Sequence, residues 1–344
     1  MKGFWGKLPR PFFVLAPLAD VTDPAFRRVI AACGAPDAMW TEFISADGLA
    51  RAPEEGRKKL LADLQYTEGE RPIVAQFFTS NPAHMEQAAA LARELGFDGV
   101  DINMGCPDKS IEKQGAGAAH IKDPKRAQEV IYAAMRGAQE LPVSIKTRLG
   151  YNTDELETWL PALLEAKPAA VTIHARTRKE MSKVPARWER VKRAVEIRNE
   201  LQSDTLILGN GDLTGLDDAR AKVAESGADG AMLGRAIFGT PWLFAPLRHM
   251  RKSSGLLPSV GQTFAYGEVS LGERLKTLAE HSRLFEELLP HKSFAIMKKH
   301  FKAYVKDFDG AAELRAQLMD ADNAEHVERT ISTFENSPLK CNCC

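Results

Sequence analysis

The sequence predicts an α/β protein: a (β/α)8 barrel followed by a small all-helical domain. Up to about residue 245, short β-rich runs alternate with helical stretches, the order of elements expected for such a barrel. Most of the β-rich runs are continuously apolar rather than alternating, as expected for parallel strands buried on both faces. After residue 270 the pattern is mostly helical.

Eight runs qualify as strands, and their spacing suits a barrel. They cover residues 12–17, 39–43, 73–78, 99–103, 143–148, 170–174, 205–210 and 230–234. Helices are predicted between them at 82–95, 124–139, 154–165 and 217–225. Two of these begin with a capping residue and a proline, Asn81-Pro82 and Asp123-Pro124, a typical helix start. An open doubly wound sheet is the alternative, but no Gly-x-Gly-x-x-Gly motif follows the first strand.

Composition divides the chain into four segments. The barrel domain is predicted at 1–245, and a linker rich in Ser, Gly and Pro at 246–270. Residues 271–336 form the predicted helical domain, because apolar residues recur there at helical spacing. The last segment, 337–344, ends in Cys-Asn-Cys-Cys and is predicted to be a disordered, oxidisable tail.

Charge and cysteine usage narrow the class of protein. Lys and Arg (46) balance Asp and Glu (46), so no overall basic field indicates a nucleic-acid partner. No apolar run approaches the ~20 residues needed to span a bilayer. Residues 1–10 lack the apolar core of a signal peptide, so we expect a cytoplasmic protein. The five cysteines do not form a disulfide framework, and no histidine lies near those of the tail to complete a metal site.

Polar residues occur at the carboxyl ends of the predicted strands, where a barrel carries its active site. The most informative stretch is Asn103-Met104-Gly105-Cys106-Pro107 after the fourth strand. A cysteine between Gly and Pro just past a strand lies on a tight turn and faces outward, a position suited to chemistry. The other strand ends carry Pro17, Leu18, Ala19, Gln76, Lys146, Arg148, His174, Arg176, Asn210, Gly211, Asp212, Gly234 and Arg235.

The turns after strands seven and eight predict a phosphate site, since barrels commonly bind phosphate there. Gly211 and Gly234 would let backbone N–H groups approach an anion, and Arg235 can make a bidentate contact. Either glycine alone could simply serve a tight turn. The two together, at these two strands, favour phosphate.

Lys146, Gln76 and His174 would then surround the centre of the mouth, and this set suits the isoalloxazine ring of a flavin. The amide would meet the pyrimidine edge of the ring, and a cation near N1 and the C2 carbonyl stabilises the anionic reduced form. His174 could equally be a structural histidine. Lys146 is harder to explain by structure alone, because a lysine is almost never fully buried without a partner.

Cys106 is predicted to act as a general acid, because a free thiol with a pKa of ~8.5 is mostly protonated at neutral pH. The alternative is a small buried hydrophobic residue. The following loop, 114–119, is rich in Gly and Ala; it is either a lid that orders over a bound substrate or an ordinary loop.

The helical domain gathers Lys298, Lys299 and Lys302 beside Phe301 and Tyr304. Such a cluster is usually a solvated amphipathic face. It could also be a local patch that binds the phosphates of a nucleic acid.

Together these residues resemble the tRNA-dihydrouridine synthases, flavin enzymes that reduce uridines in tRNA. The resemblance runs from about residue 11 to about residue 322, and Asn-x-Gly-Cys-Pro is its most specific motif. It is carried by Leu15-Ala16-Pro17-Leu18-Ala19-Asp20-Val21-Thr22-Asp23, Asp101-Ile102-Asn103-Met104-Gly105-Cys106-Pro107, Lys146-Thr147-Arg148-Leu149-Gly150, His174-Ala175-Arg176-Thr177, Asn210-Gly211-Asp212, Gly234-Arg235, Ile296-Met297-Lys298-Lys299-His300 and Gly310-Ala311-Ala312-Glu313-Leu314-Arg315.

The resemblance implies that reduced FMN gives a hydride to C6 of uracil, that Cys106 protonates C5 and that NADPH reduces the flavin. The target base would have to leave the tRNA fold to enter such a pocket. The implied FMN contacts are Pro17, Leu18, Ala19, Gln76, Lys146, His174, Asn210, Gly211, Asp212, Gly234 and Arg235. The expected substrate contacts are Asn103, Arg148, Arg176, Lys298, Lys299 and Lys302. We expect tRNA as the partner, with no metal and no membrane, and a monomer is slightly favoured.

The chain departs from the family pattern at three places. Leu18 stands where Met is usual, Ala175 stands where Gly is common, and residues 178–185 differ after strand six. Two other functions are compatible with the same motifs. A flavin-dependent barrel oxidoreductase for a small molecule, of dihydropyrimidine or dihydroorotate type, would leave the lysine-rich helical domain unexplained. A binding protein without turnover would not need an intact Cys106, Lys146 and His174.

Overall fold

The computed structural model describes residues 3–247 and 269–336, and these contain eight parallel strands in one sheet. The strands are β1 (Phe12–Leu15), β2 (Met39–Ser45), β3 (Ile73–Phe78), β4 (Gly99–Met104), β5 (Val143–Arg148), β6 (Ala170–His174), β7 (Leu206–Asn210) and β8 (Gly230–Leu233). All eight were predicted. The larger differences are that β1 ends two residues earlier and β2 two residues later than the sequence indicates.

The sheet closes into a barrel. β1 pairs with β8, and pairing continues through β7 around to β2. Two backbone hydrogen bonds then join β1 to the residues just before β2. The Asp37 N–H donates to the Phe13 carbonyl (2.9 Å), and the Leu15 N–H donates to the Ala38 carbonyl (3.1 Å). The predicted barrel is confirmed, and the carboxyl ends of all eight strands surround one opening, the barrel mouth.

Helices separate the strands and continue after β8. The described α-helices are α1 (Pro24–Gly34), α2 (Ala46–Arg51), α3 (Glu54–Asp63), α4 (Pro82–Glu94), α5 (Lys109–Glu112), α6 (Pro124–Ala138), α7 (Leu156–Glu165), α8 (Trp188–Glu200), α9 (Leu216–Ser226), α10 (Leu271–Leu288), α11 (Lys298–Tyr304), α12 (Ala311–Leu318) and α13 (Ala324–Glu335). The two predicted cap-proline starts are confirmed. The Asn81 side-chain oxygen Oδ1 accepts from the Ala83 N–H, and the Asp123 carboxylate from the Arg126 N–H, each at 3.0 Å.

The barrel interior is apolar near the amino ends of the strands and becomes polar toward the mouth. The 3-10 turn Gly3–Lys7 contributes Phe4 and Trp5 to the apolar part. Its other members are Phe12, Val14, Ala16, Ala38, Trp40, Val74, Ala170, Leu206, Leu208 and Met232. Side chains two positions apart on a strand share a face, so Gln76 lies above Val74 and Asn210 above Leu208. This alternation brings the polar strand ends into one cavity.

The described chain forms two compact units. Among the described residues, one contains 3–22 and 36–235, and the other contains 23–35, 236–247 and 269–336. In the second unit, Phe26 of α1 stacks on His281 of α10 with 4.7 Å between ring centroids, and its ring lies 4.9 Å from that of His300 of α11. Helix α1 therefore shares a core with the C-terminal helices. Periodicity shows that a helix has a buried face, but not which helices cover that face.

The domain boundaries at residues 245 and 271 stay a prediction. The predicted linker, 246–270, lies almost entirely outside the described residues, and the predicted cysteine-containing tail, 337–344, lies wholly outside them. No helix within the described ranges is long and apolar enough to cross a membrane.

Candidate active site

The turn after β4 holds Cys106 at the barrel mouth. The Asn103 side-chain oxygen accepts hydrogen bonds from the backbone N–H groups of Gly105 (3.1 Å) and Cys106 (2.9 Å). Asn103 is the last polar residue of β4, and its side chain therefore stabilises the turn that follows. Cys106 is half-buried, and burial raises the pKa of its thiol above the ordinary value. The thiol is therefore protonated at neutral pH, the state that a general acid requires.

The loop 114–119 packs against this turn. The Ala118 N–H donates to the Cys106 carbonyl at 2.9 Å, and residues 116–119 are buried while 114 and 115 are exposed. Gly117 has a φ of +60°, and a Cβ at this position would lie 2.7 Å from the Cys106 carbonyl oxygen. A glycine is therefore required at 117 for the loop to approach Cys106. Whether the loop also acts as a lid stays a prediction.

A chain of side-chain hydrogen bonds lies beneath Cys106. Gln76 is fully buried; its Nε2 donates to Asp101 Oδ2 (2.6 Å), and its Oε1 accepts from Asn103 Nδ2 (3.2 Å). The other Asp101 oxygen accepts from the Ser144 hydroxyl. Burial raises the pKa of Asp101 to about 6, so the carboxylate is mostly ionised at pH 7. No role was predicted for Asp101 from the sequence, although a charged residue between Val100 and Ile102 in a buried strand was a detectable signal.

Lys146, on β5, lies in register with Asn103 on β4 and provides a cation without a partner. Among the described residues its ammonium forms no hydrogen bond or ion pair. Burial, together with the nearby Arg148 guanidinium, lowers the pKa of Lys146 to about 8. At neutral pH the barrel mouth therefore contains a protonated, half-buried ammonium that is available to a ligand.

Arg148 and Arg176 are held by several partners each. Arg148 donates from Nε to the Gly105 carbonyl (2.7 Å) and from Nη1 to the carbonyls of Thr177 (3.1 Å) and Met181 (3.0 Å). It therefore connects the Cys106 turn to the loop after β6. Arg176 donates to the Val184 carbonyl and pairs with Asp212. Both arginines remain predicted substrate contacts, and both also brace the loops of the mouth.

His174 is neutral in this setting. It lies in register with Arg148 on one side and Asn210 on the other, and its Nε2 accepts from Arg176 Nη1 at 3.1 Å. Burial and the surrounding cations, first among them Lys146, hold the pKa of His174 well below its ordinary value. The ring is therefore an uncharged group beside positive ones, and it contributes shape and a hydrogen bond rather than charge.

The turns after β7 and β8 are joined by Asp212. Its carboxylate accepts from Arg235 (2.7 Å), from the Ala186 N–H (2.8 Å) and from Arg176. Gly211 has a φ of +128°, and a Cβ there would lie 2.8 Å from the Ala186 Cβ, so this glycine is required by the fold. At Gly234 an added Cβ would meet only ordinary contacts, the nearest at 3.6 Å. The fold itself therefore does not explain the glycine at 234.

The remaining predicted cofactor contacts also line the mouth. Asn210 donates from Nδ2 to the Met232 carbonyl (2.7 Å). After β1, Pro17 is buried, Leu18 is half-buried and Ala19 is exposed. The Leu18 N–H donates to the Thr22 hydroxyl (2.8 Å), which fixes the turn. The structure thus brings the predicted barrel residues to one opening, with Gln76 one level below it.

The loop after β6, where the sequence departs from the family pattern, is tied to its neighbours. Arg178 makes a two-pronged ion pair with Glu112 of α5, with Nε 2.6 Å from Oε1. The Tyr151 ring lies under Arg178 (5.1 Å to the ring centroid) and under Lys122 (4.5 Å). Sequence analysis missed this link, because a pair separated by 66 residues leaves no local pattern.

Lys298, Lys299 and Lys302 share helix α11 in the second unit. Lys302 is exposed, and Lys298 and Lys299 are half-buried. No group of three or more His, Cys, Asp or Glu side chains in 3–247 and 269–336 is arranged to bind a metal ion.

Comparison with known proteins gives consistent results. A protein-family model described as dihydrouridine synthase matches residues 14–337. The chain is 38% identical over 339 residues to a probable tRNA-dihydrouridine synthase 2 of Bacillus subtilis (strain 168), covering 98% of each protein. It is 36% identical over 339 residues to a probable tRNA-dihydrouridine synthase of Staphylococcus aureus (strain COL), covering 97% of this chain and 96% of the relative.

Two solved structures show the same fold. A histamine dehydrogenase from Rhizobium sp. 4-9 superposes with a TM-score of 0.52 at 12% identity, covering 79% of this chain and 48% of that one. An amine oxidase from Pseudomonas geniculata N1 also superposes with a TM-score of 0.52 at 12% identity, covering 71% and 47%. At this identity the likeness concerns the barrel architecture alone.

Proposed function

This chain belongs to the dihydrouridine synthase family, and we propose that it is a cytoplasmic, FMN-dependent enzyme that reduces uridine in tRNA to 5,6-dihydrouridine. The observation that carries the proposal is the position of Cys106. A protonated thiol stands on a braced turn beside an unpartnered lysine, at the mouth of a barrel.

The residues at the mouth fit FMN. An anionic phosphate and the anionic reduced ring both need cations. Lys146, Arg148, Arg176 and Arg235 supply positive charge, and the Asp212 carboxylate is already paired. Gly234 carries no side chain, so a phosphate oxygen could approach its backbone N–H. In the proposed complex Gly211, Asp212, Gly234 and Arg235 surround the phosphate, while Lys146, His174, Asn210 and the turn 17–19 surround the ring. Gln76 would act from just below.

Reduced FMN, regenerated by NADPH, would supply the hydride to C6 of the uracil. The protein would supply the proton at C5, and Cys106 Sγ–H is the proposed donor. Burial keeps that proton on the sulfur at neutral pH, and the Asn103 side chain holds the turn that aims it. The remaining Asn103 N–H could meet a uracil carbonyl, so Asn103 would orient the base as well as the acid.

The partner is proposed to be tRNA, because the curated relatives are named for it. A base inside a folded RNA cannot reach a barrel mouth, so the uridine would have to flip out of the RNA stack. The lysines of α11 would bind phosphates elsewhere on the RNA and hold it during this step.

The proposal is tested with purified protein. The preparation should be yellow, should release FMN on denaturation, and should form dihydrouridine in unmodified tRNA when NADPH is added. A protein that binds FMN and consumes NADPH, yet leaves tRNA unchanged and reduces a free pyrimidine, would point to the small-molecule oxidoreductase instead. A colourless protein that FMN cannot reconstitute would overturn the flavin proposal itself.

A further inference from the structure

The hydrogen-bond chain below the mouth has a direction, and Asp101 sets it. From the inside outward, Ser144 donates to Asp101, Gln76 Nε2 donates to Asp101 (2.6 Å), and Asn103 Nδ2 donates to Gln76 Oε1 (3.2 Å). The chain ends where Asn103 Oδ1 accepts from the Cys106 N–H at 2.9 Å. Every donor in the chain therefore points toward the Asp101 carboxylate.

This direction follows from what each group can do. A carboxylate only accepts hydrogen bonds, whereas an amide side chain donates at one end and accepts at the other. Asp101 therefore requires the NH2 end of Gln76. The Gln76 oxygen then requires the NH2 end of Asn103, which leaves the Asn103 oxygen for the turn. Because Gln76 and Asp101 are fully buried, water cannot substitute for a missing partner.

The opposite orientation would disrupt the turn. If Asn103 presented its NH2 group to the Cys106 N–H, two donors would face each other and the turn would lose the acceptor that closes it. A buried N–H without an acceptor is costly. One acceptor-only group at the inner end therefore controls the geometry at the outer end, three hydrogen bonds away.

We propose that Asp101 is a positioning residue for Cys106, acting through Gln76 and Asn103 to fix the backbone turn that carries the thiol. The inference rests on the proposed function only in assigning Cys106 as the proton donor; the structural coupling itself stands without that assignment. Asp101 does not touch the reacting atoms in this proposal.

The test compares Asp101→Val with Asp101→Asn. Valine has no hydrogen-bond acceptor, so the side-chain amides of Gln76 and Asn103 become free to flip by about 180°. Asparagine can still accept from Gln76 with its oxygen while its NH2 group donates to the Ser144 oxygen, so the direction of the chain is retained. Thr172→Val is the matched control, because Thr172 is a buried barrel residue outside the chain.

The primary readout needs no turnover. Hydrogen exchange of the Cys106 amide and the rate of iodoacetamide alkylation of Cys106 report the turn directly. We expect Asp101→Val to speed exchange by about 10-fold or more, the factor for roughly 1.4 kcal/mol of reduced protection, while Asp101→Asn and Thr172→Val stay within about 2-fold of the parent. The activity readout should show a lower kcat for uridine reduction in Asp101→Val with an unchanged KM for tRNA.

The outcomes separate the two proposals. A change at Cys106 in a protein that never reduces uridine would support the positioning role and refute the function. Unchanged exchange and alkylation in Asp101→Val would overturn the positioning role. If Asp101→Val does not fold, Gln76→Leu interrupts the same chain; unchanged protection of the Cys106 amide in that variant would equally overturn it.

Discussion

Among single residues, the Cys106 thiol is the one on which the proposed reaction depends most. Replacing Cys106 by Ala should leave bound FMN and flavin reduction by NADPH largely intact, because neither needs a proton at C5. Uridine reduction should fall by on the order of 10²-fold or more, the usual loss for a positioned acid. Single-turnover assays with tRNA measure this directly. Cys33→Ala is the control, since Cys33 belongs to the second unit and should leave the rate unchanged. A Cys106→Ala enzyme as fast as the parent would remove the residue from the mechanism.

The lowered pKa of Lys146 leads us to predict that FMN binding depends on pH. Burial and Arg148 lower its pKa to about 8, so the ammonium that would attract the ring loses its proton as pH rises through that value. Affinity for FMN should therefore be nearly constant at neutral pH and below, and should decrease above about pH 8. The Lys146→Met variant should bind more weakly and show no such decrease. Equilibrium titration with FMN in Cys106→Ala excludes a contribution from the thiol. A Lys146→Met profile with the same decrease would assign the titration to another group.

Among the secondary-structure elements, the positions of the strands along the chain were predicted better than the contacts between elements that are distant in sequence. Continuous apolar runs located all eight strands, and the Asn81 and Asp123 caps located two helix starts, because these signals are local. The grouping of α1 with the C-terminal helices and the Glu112–Arg178 ion pair depend on residues far apart in the chain. Of the hydrogen-bond chain under Cys106, Gln76 and Asn103 were predicted as site residues, but Asp101, at the inner end of the chain, was not.

Two buried histidines in the core of the second unit lead us to predict that its folding stability decreases in acid. Burial lowers the pKa of His300 to about 3 and also lowers that of His281, and no hydrogen-bond partner is found for either ring in the described chain. As pH falls below about 6.5, each histidine would bind a proton in the unfolded chain but not in the folded one. Stability is thus fully present above that value and decreases toward pH 3, by about 1.4 kcal/mol per pH unit for each group.

The His300→Phe variant tests this assignment by removing the titration while keeping a ring beside Phe26. Its unfolding free energy, measured by urea titration from neutral to mildly acidic pH, should depend less on pH than that of the parent. His326→Gln is the control, because His326 is partly exposed on α13. Equal pH slopes in the parent and His300→Phe would show that His300 does not contribute.

The lysines of α11 lead us to predict how tRNA binding responds to salt. Replacing Lys298, Lys299 and Lys302 by Ala should weaken tRNA binding and reduce the log–log salt slope by roughly one unit for each phosphate that is no longer bound. FMN content should not change, because the proposed flavin site lies in the first unit. The control replaces three lysines on barrel helices, Lys59, Lys125 and Lys192, all of them exposed. If both triple variants bind like the parent, the α11 cluster is a solvated face.

At the scale of the whole molecule, overall charge gave little guidance to function. The chain has equal numbers of basic and acidic residues. The barrel mouth is nevertheless locally positive, because Lys146, Arg148 and Arg176 surround a neutral His174 there. Many acidic residues instead pair with arginines on the outer helices, as Glu157 does with Arg190 and Arg193. Formal charge sums over the chain, whereas a ligand responds only to the groups that surround it. The strand-end motifs were therefore more informative than composition.

The most direct test of the central claim is a map of dihydrouridine in tRNA from cells with the gene, without it, and without it but expressing either the parent protein or Cys106→Ala. We predict that one or more uridine positions lose dihydrouridine when the gene is removed. The parent protein should restore those positions, and Cys106→Ala should not. An unchanged map after removal of the gene would refute the proposed activity, and full restoration by Cys106→Ala would refute the role of the thiol.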